Sequence, residues 1–113
     1  MSGDRGERLF VYGALLDRDL QLDTFGRVPD SAPALLPGYA SHLTGIPDAR
    51  FSDRESPTVQ NVVRRTDDPR DKVVGEVLAL DLFELEAADE VQLSTFRRTR
   101  VALADGEKAW VYL

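Results

Sequence analysis

Apolar and polar positions along this chain group into short strand-like runs and two helix-like stretches, separated by turn residues. The first run, Leu9-Phe10-Val11-Tyr12, stops at Gly13 and is followed by Ala14-Leu15-Leu16 and a polar, helix-compatible stretch. That order predicts a buried strand, over about Leu9–Tyr12, opening into a tight turn and then into a short helix from Asp17 to Phe25 that ends at Gly26. Pro29, Pro33 and Pro37 punctuate what reads as a loop. Gly38–Leu43 predicts a second strand, residues 46–57 a loop without periodicity, and Thr58–Arg65 a further strand. Asp67–Asp71 reads as a turn and Lys72–Leu80 as a strand. Two final strands, Arg97–Leu103 and Lys108–Leu113, flank Ala104-Asp105-Gly106-Glu107. An Asp-Gly pair between such runs is a strong hairpin signal.

A second helix is predicted from about Asp81 to Val91. Asp81 is a good N-cap, and Glu84 three residues later completes a capping box. Helical spacing places Leu82, Leu85, Asp89 and Gln92 on one stripe, two leucines continued by two polar residues. Polar groups on a buried face must be paired or must line a cavity; the plainer reading is that the stripe surfaces there and meets solvent.

Composition narrows the chemistry. The chain of 113 residues, 42% hydrophobic, reads as one domain over 1–113 with a single core. A net charge of −6 argues against nucleic acid or an anionic membrane as partner. There is no cysteine, which excludes disulfides, thiolate chemistry and zinc–cysteine sites. A single histidine, His42, makes a multi-histidine metal site impossible and a Ser–His–Asp triad improbable. No apolar stretch approaches the ~18 residues of a membrane span, and no signal peptide is visible, so a cytoplasmic protein is expected.

Candidate chemistry begins at the first turn. A strand-to-turn-to-helix junction presents unpaired N–H groups that attract carboxylates, phosphates or an oxyanion. A strand ending in Tyr-Gly is also common as plain structure. Tyr12 and Tyr112 end strands that should converge, each with the ordinary reading of a core residue with a satisfied hydroxyl. His42, mid-strand, reads as structural. Alternation alone does not fix the direction of Glu76, and Arg97, Arg98 and Arg100 read most simply as a solvated strand face.

Taken together the segments resemble a known family. Val11-Tyr12-Gly13-Ala14-Leu15 resembles its Tyr-Gly-Thr/Ser-Leu signature. Leu36-Pro37-Gly38-Tyr39, Val73-Val74-Gly75-Glu76-Val77, Phe96-Arg97-Arg98-Thr99-Arg100-Val101 and Ala109-Trp110-Val111-Tyr112 match further family segments in order. The chain is similar to the gamma-glutamylcyclotransferase-like superfamily, in its AIG2-like, butirosin-cyclotransferase-like branch. The resemblance implies an α+β fold, a small mixed β-barrel with a few short helices and a cavity at its mouth. It implies that the turn at Tyr12, Gly13, Ala14 and Leu15 binds a small-molecule substrate through backbone amides, with Tyr112 nearby. The implied chemistry is intramolecular acyl transfer: the alpha-amine of a gamma-glutamyl group attacks its own gamma-carbonyl, releasing 5-oxoproline and an amine, with one glutamate moving the protons and no metal or organic cofactor needed.

At that glutamate this chain departs from the pattern. The stretch reads Ala88-Asp89-Glu90-Val91-Gln92-Leu93-Ser94-Thr95-Phe96, and Gln92 falls on the catalytic position without a gap. Glutamine has nearly the shape of glutamate but cannot shuttle a proton. General acid–base catalysis is worth roughly 10²–10⁴ in rate, so ordinary cyclotransfer should be crippled. An engineered change would explain Gln92 but not Val91 or Phe96, which stand where the family pattern, Ala-Asp-x-Tyr-Glu followed by Tyr-Arg-Arg, has tyrosines. A one-residue realignment would bring Glu90 inward but break the stripe. Natural divergence accounts for all the differences. Asp89, one turn earlier, is the nearest carboxylate; its plain reading is a cap or an ion pair with Arg97 or Arg98. Two functions follow: a diverged enzyme that cyclises or rearranges a small metabolite using Gln92 and Asp89, or a non-catalytic binding or accessory protein that keeps the pocket. Oligomeric state is not legible.

Overall fold

A computed structural model describes residues 6–46, 58–91 and 96–113. Seven strands and two α-helices are present among them: β1 (Glu7–Val11), α1 (Arg18–Phe25), β2 (Ser31–Pro37), β3 (Tyr39–Ile46), β4 (Thr58–Arg65), β5 (Lys72–Leu80), α2 (Leu82–Val91), β6 (Arg98–Ala102) and β7 (Lys108–Tyr112). Five strands form one mixed sheet in the order β2-β5-β1-β7-β6, and β3 pairs with β4 in a separate two-stranded ribbon.

β1 holds the centre because its side chains are apolar in both directions. Leu9, Phe10 and Val11 are all buried, as expected of a strand covered on both faces. It pairs antiparallel with β5, from Glu7 opposite Leu80 to Val11 opposite Glu76, and parallel with β7, with Leu9 opposite Trp110. Phe10, Val73, Val77, Val101, Ala109 and Val111 fill one face, joined there by Leu36 of β2 and Val63 of β4. Leu9, Val11, Leu78, Leu80 and Tyr112 fill the other, under Leu85 and Ala88 of α2 and Leu15 of the first turn.

Four local features follow the residue pattern. The capping box of α2 is complete: the Asp81 N–H donates to Glu84 Oε1 at 3.0 Å and the Glu84 N–H to Asp81 Oδ1 at 2.8 Å. Glu84 also takes a two-pronged pair from Arg27, whose Nε and Nη2 lie 2.6 and 2.9 Å from its oxygens. This ties the exit of α1 to the start of α2. The hairpin β6–β7 closes through a three-residue loop in which Gly106 takes φ +85°, the left-handed position such loops require. At Gly75, β1 and β5 approach so closely that a Cβ would collide with the Val11 carbonyl oxygen and stand 2.9 Å from the Phe10 ring.

Three expectations need correction. The proline-punctuated segment is strand β2, not a loop. It pairs with β5 from Ser31 opposite Leu78 to Pro37 opposite Lys72. Pro33 is tolerated because β2 is an edge strand and the missing N–H is not needed by β5. The sheet is α+β in kind but does not close into a barrel. Its two edges meet through the Ala104 N–H, just beyond β6, donating to the Leu35 carbonyl at 3.0 Å. Pro33, two residues before Leu35, leaves that edge short of a donor, and β3 and β4 pair with each other instead of bridging the gap. Finally, Leu82 is 58% exposed. The inner face of α2 is Leu85 and Ala88, because the capping box holds the first turn outward.

Gly75→Ala is expected to lower stability by roughly 1–3 kcal/mol, since backbone as well as a ring must shift to admit the methyl. Val74→Ala, at a neighbouring side chain that faces solvent, is expected to change stability by less than about 0.5 kcal/mol. Urea denaturation of both variants checks the contrast.

Candidate active site

The Tyr-Gly turn is a single 3₁₀ turn over Ala14–Leu16 that leads straight into α1. It is closed by the Leu16 N–H donating to the Gly13 carbonyl at 2.9 Å and the Asp17 N–H to the Ala14 carbonyl at 3.0 Å. The N–H groups of Gly13, Ala14 and Leu15 come before these bonds and have no partner within the turn, as at any helical start. Ala14 is exposed, Gly13 half-buried and Leu15 buried. Asp17 caps α1 by accepting the Asp19 N–H at 2.8 Å.

Gln21 braces this turn from below. It is fully buried, and its Nε2 donates to the Leu15 carbonyl at 2.7 Å. One turn earlier in α1, Arg18 reaches Gln21 Oε1 at 3.5 Å and makes a two-pronged pair with Glu76, at 3.0 and 3.3 Å. Glu76 stands opposite Val11 in the β1–β5 ladder. The pair therefore fastens the start of α1 to the sheet beside the turn.

A second set of polar contacts ties the turn to α2. The Tyr12 hydroxyl donates to the Tyr112 carbonyl at 2.6 Å, and the Tyr112 hydroxyl donates to Asp89 Oδ1 at 2.8 Å. The other Asp89 oxygen lies 3.3 Å from Arg98 Nη1. The Arg98 guanidinium sits over the Trp110 ring, 4.8 Å from its centre, and Arg100 stacks on the same ring at 5.0 Å. Trp110 in turn donates its indole N–H to Glu7 at 3.0 Å. Burial pushes the Tyr12 hydroxyl up to about 12. Burial first, and then the hydrogen bond and negative charge of Asp89, push Tyr112 up as well. Both phenols are thus held neutral, as donors.

The tertiary structure brings Tyr12, Gly13, Ala14, Leu15, Tyr112 and Asp89 to one end of the β1–β7 pair. Gln92 lies outside the described residues. Glu90 is exposed on α2, as is His42 on β3. Arg98 is not a solvated strand residue: its side chain is 24% exposed, between Asp89 and the indole. One contributor escaped the sequence reading: Gln21 sits in a short, largely polar helix in which no apolar spacing marks it as buried. Arg98 makes one of the two ion pairs expected for Asp89; its place against the Trp110 ring is the part not foreseen. Among the described residues no three acidic or histidine side chains are grouped to hold a metal ion, and no helix is long and apolar enough to cross a membrane.

A mixed sheet with helices on one face, and an amide-lined turn after its central strand, defines a small α+β protein of cyclotransferase-like fold. Residues 9–113 match the family described as gamma-glutamyl cyclotransferase, AIG2-like, and the chain belongs to that family. A solution structure from Arabidopsis thaliana is 25% identical, with a TM-score of 0.72 over 95% of this chain and 61% of that one. An uncharacterised protein from Pyrococcus horikoshii is 19% identical, with a TM-score of 0.62 over 95% of this chain and 76% of that one. A structure named gamma-glutamyl cyclotransferase is 18% identical, with a TM-score of 0.62 over 95% of this chain and 65% of that one. The chain thus spans about three-fifths of the length of the Arabidopsis protein. No curated protein matches it.

The raised phenols set an alkaline limit. A tyrosine whose hydroxyl titrates higher in the folded than in the unfolded state stabilises the fold fully below the unfolded value of 10.0. That contribution is lost as pH rises through 10 toward 12, at up to about 1.4 kcal/mol per pH unit for each such group. Stability is therefore expected to fall over that window. Tyr12→Phe should flatten the fall and remove a late step from the ultraviolet tyrosinate titration, while costing about 1 kcal/mol at neutral pH for the lost hydrogen bond.

Proposed function

We propose that this protein binds a small metabolite through a carboxylate or carbonyl group at the Gly13, Ala14 and Leu15 amides, and catalyses an intramolecular cyclisation or acyl rearrangement of it. The observation that carries this reading is the hydrogen-bond path from Tyr12 through Tyr112 to Asp89. It joins the amide turn to the end of α2, one turn before Gln92 in sequence. Holding reacting groups of one molecule together contributes ~7–11 kcal/mol without a proton shuttle. In this scheme Gln92 orients a carbonyl or enol through its amide. Asp89, engaged by Tyr112 and faced by Arg98, holds the wall rather than leaving its partners to take a proton. The turn supplies electrostatic stabilisation as oxyanion-type donors do.

A specific observation supports a second reading, a binding or accessory protein without chemistry: a glutamine stands where the family pattern has a glutamate. The two readings separate by assay. The unmodified chain is expected to release little or no 5-oxoproline from gamma-glutamyl amines. Gln92→Glu replaces the amide by a carboxylate of almost the same volume, and regained 5-oxoproline release would place that side chain at the reacting centre. Robust release by the unmodified chain, abolished in Asp89→Asn or Glu90→Gln, would overturn this reading. Turnover of another metabolite that is lost in Gln92→Ala would favour the enzyme over the binding protein.

Ala14→Pro tests the turn. Position 14 is the first residue of the 3₁₀ turn, where proline deletes an N–H that closes neither of the turn's bonds. The fold is expected to survive, and affinity for an identified ligand, measured by calorimetry, to fall by roughly 1–3 kcal/mol for the lost donor.

A further inference from the structure

We infer that Arg98 is a positioning residue for the candidate site. It anchors Asp89 at the end of α2 and, through Tyr112 and Tyr12, sets the geometry of the Gly13–Leu16 turn. This rests on the functional reading above only for what the turn binds; the coupling itself stands on contacts among protein groups.

Three observations carry it. Arg98 is held on two sides at once, by the Trp110 ring at 4.8 Å and by Asp89 at 3.3 Å. A guanidinium stacked on an indole loses little freedom when it then meets a carboxylate, so the stack makes Arg98 a fixed post rather than a flexible surface charge. Next, one Asp89 oxygen takes the Tyr112 hydroxyl and the other faces Arg98 Nη1 as an ion pair without a hydrogen bond, so that rotating the carboxylate gives up one contact or the other. Finally, Tyr112 is engaged at both ends, its hydroxyl by Asp89 and its carbonyl by the Tyr12 hydroxyl. The residue after Tyr12 is Gly13, whose carbonyl closes the 3₁₀ turn. A displacement of Asp89 therefore has a route to the turn through two hydrogen bonds and the covalent frames of Tyr112 and Tyr12. Arg100 provides an internal comparison. It lies on the same face of Trp110's sheet, stacks on the same ring at 5.0 Å, and among the described residues makes no ion pair or hydrogen bond with Asp89.

The test reads the turn directly and needs no ligand. Hydrogen exchange of the Leu16 and Asp17 amides, whose bonds close the turn, is measured by NMR relative to a β5 amide, so that global destabilisation cancels. Both Arg98→Gln and Arg100→Gln should alter the emission of Trp110, the single tryptophan of the chain, showing that each substitution reaches the ring. Only Arg98→Gln should speed relative exchange at Leu16 and Asp17, by severalfold. In a Tyr12→Phe background, where the route is cut, Arg98→Gln should add nothing further at those amides. If Arg98→Gln fails to fold, Arg98→Lys, which keeps the charge but not the planar stack, should give a smaller change in the same direction. Unchanged relative exchange in Arg98→Gln would overturn the inference, as would an equal change in Arg100→Gln or a fully additive effect with Tyr12→Phe. Absence of any cyclising activity in this protein would sink the functional reading and leave this result standing.

Discussion

Burial of β1 on both faces is the constraint on which this structure depends. A strand with Leu9 and Val11 on one side and Phe10 on the other can be satisfied only between two packed layers. The parallel pairing of β1 with β7 joins the first and last of the described strands, and the described elements between them cover those two faces. The helices take one face. The curled sheet and Val63 of the β3–β4 ribbon take the other. Gly75 belongs to the same constraint, because β5 can approach Phe10 and the Val11 carbonyl only where no side chain intervenes.

That constraint also positions the chemistry. A doubly buried strand must end abruptly when the core ends, and here it ends in Tyr12 and a turn with uncovered amides. Such amides serve a ligand only if the turn is rigid. Two independent braces supply the rigidity. From below, buried Gln21 holds the Leu15 carbonyl. From the side, Tyr12 grips the β7 backbone. Neither brace uses an N–H group of Gly13, Ala14 or Leu15, so the donors stay free while the frame around them is fixed. The acidic surface of the chain is compatible with the proposed anion-accepting turn, because backbone dipoles, not lysines or arginines, would form it.

The polar stripe of α2 has a corresponding logic. Asp89 sits at the rim of the core, with its side chain 38% exposed. It is fixed by an aromatic hydroxyl and a stacked guanidinium instead of by burial. A buried carboxylate would carry a large desolvation cost; one at the rim, paired on both oxygens, does not.

Much of this was legible in the residues alone. The capping box of α2, the Asp-Gly hairpin, the strand-turn-helix at Gly13 and the paired strand Lys72–Leu80 are local patterns, set by residues close in sequence. The family likeness followed from segment order. Other features depended on contacts that no local pattern encodes. β2 read as a loop because proline discourages strands, and only its place at a sheet edge makes Pro33 harmless. The open sheet followed from that same edge, where a missing donor and the separate β3–β4 pairing prevent closure. Leu82 read as core from its spacing, yet the cap and the Arg27–Glu84 pair turn it to solvent. The Asp89–Arg98 ion pair was legible as one of two choices, but the choice of Arg98, and Gln21 altogether, could be recognised only once β6 lay beside Trp110 and α1 lay under the turn. Residue periodicity determines which element forms; which polar side chain meets which is decided by tertiary packing, because the partners stand tens of residues apart.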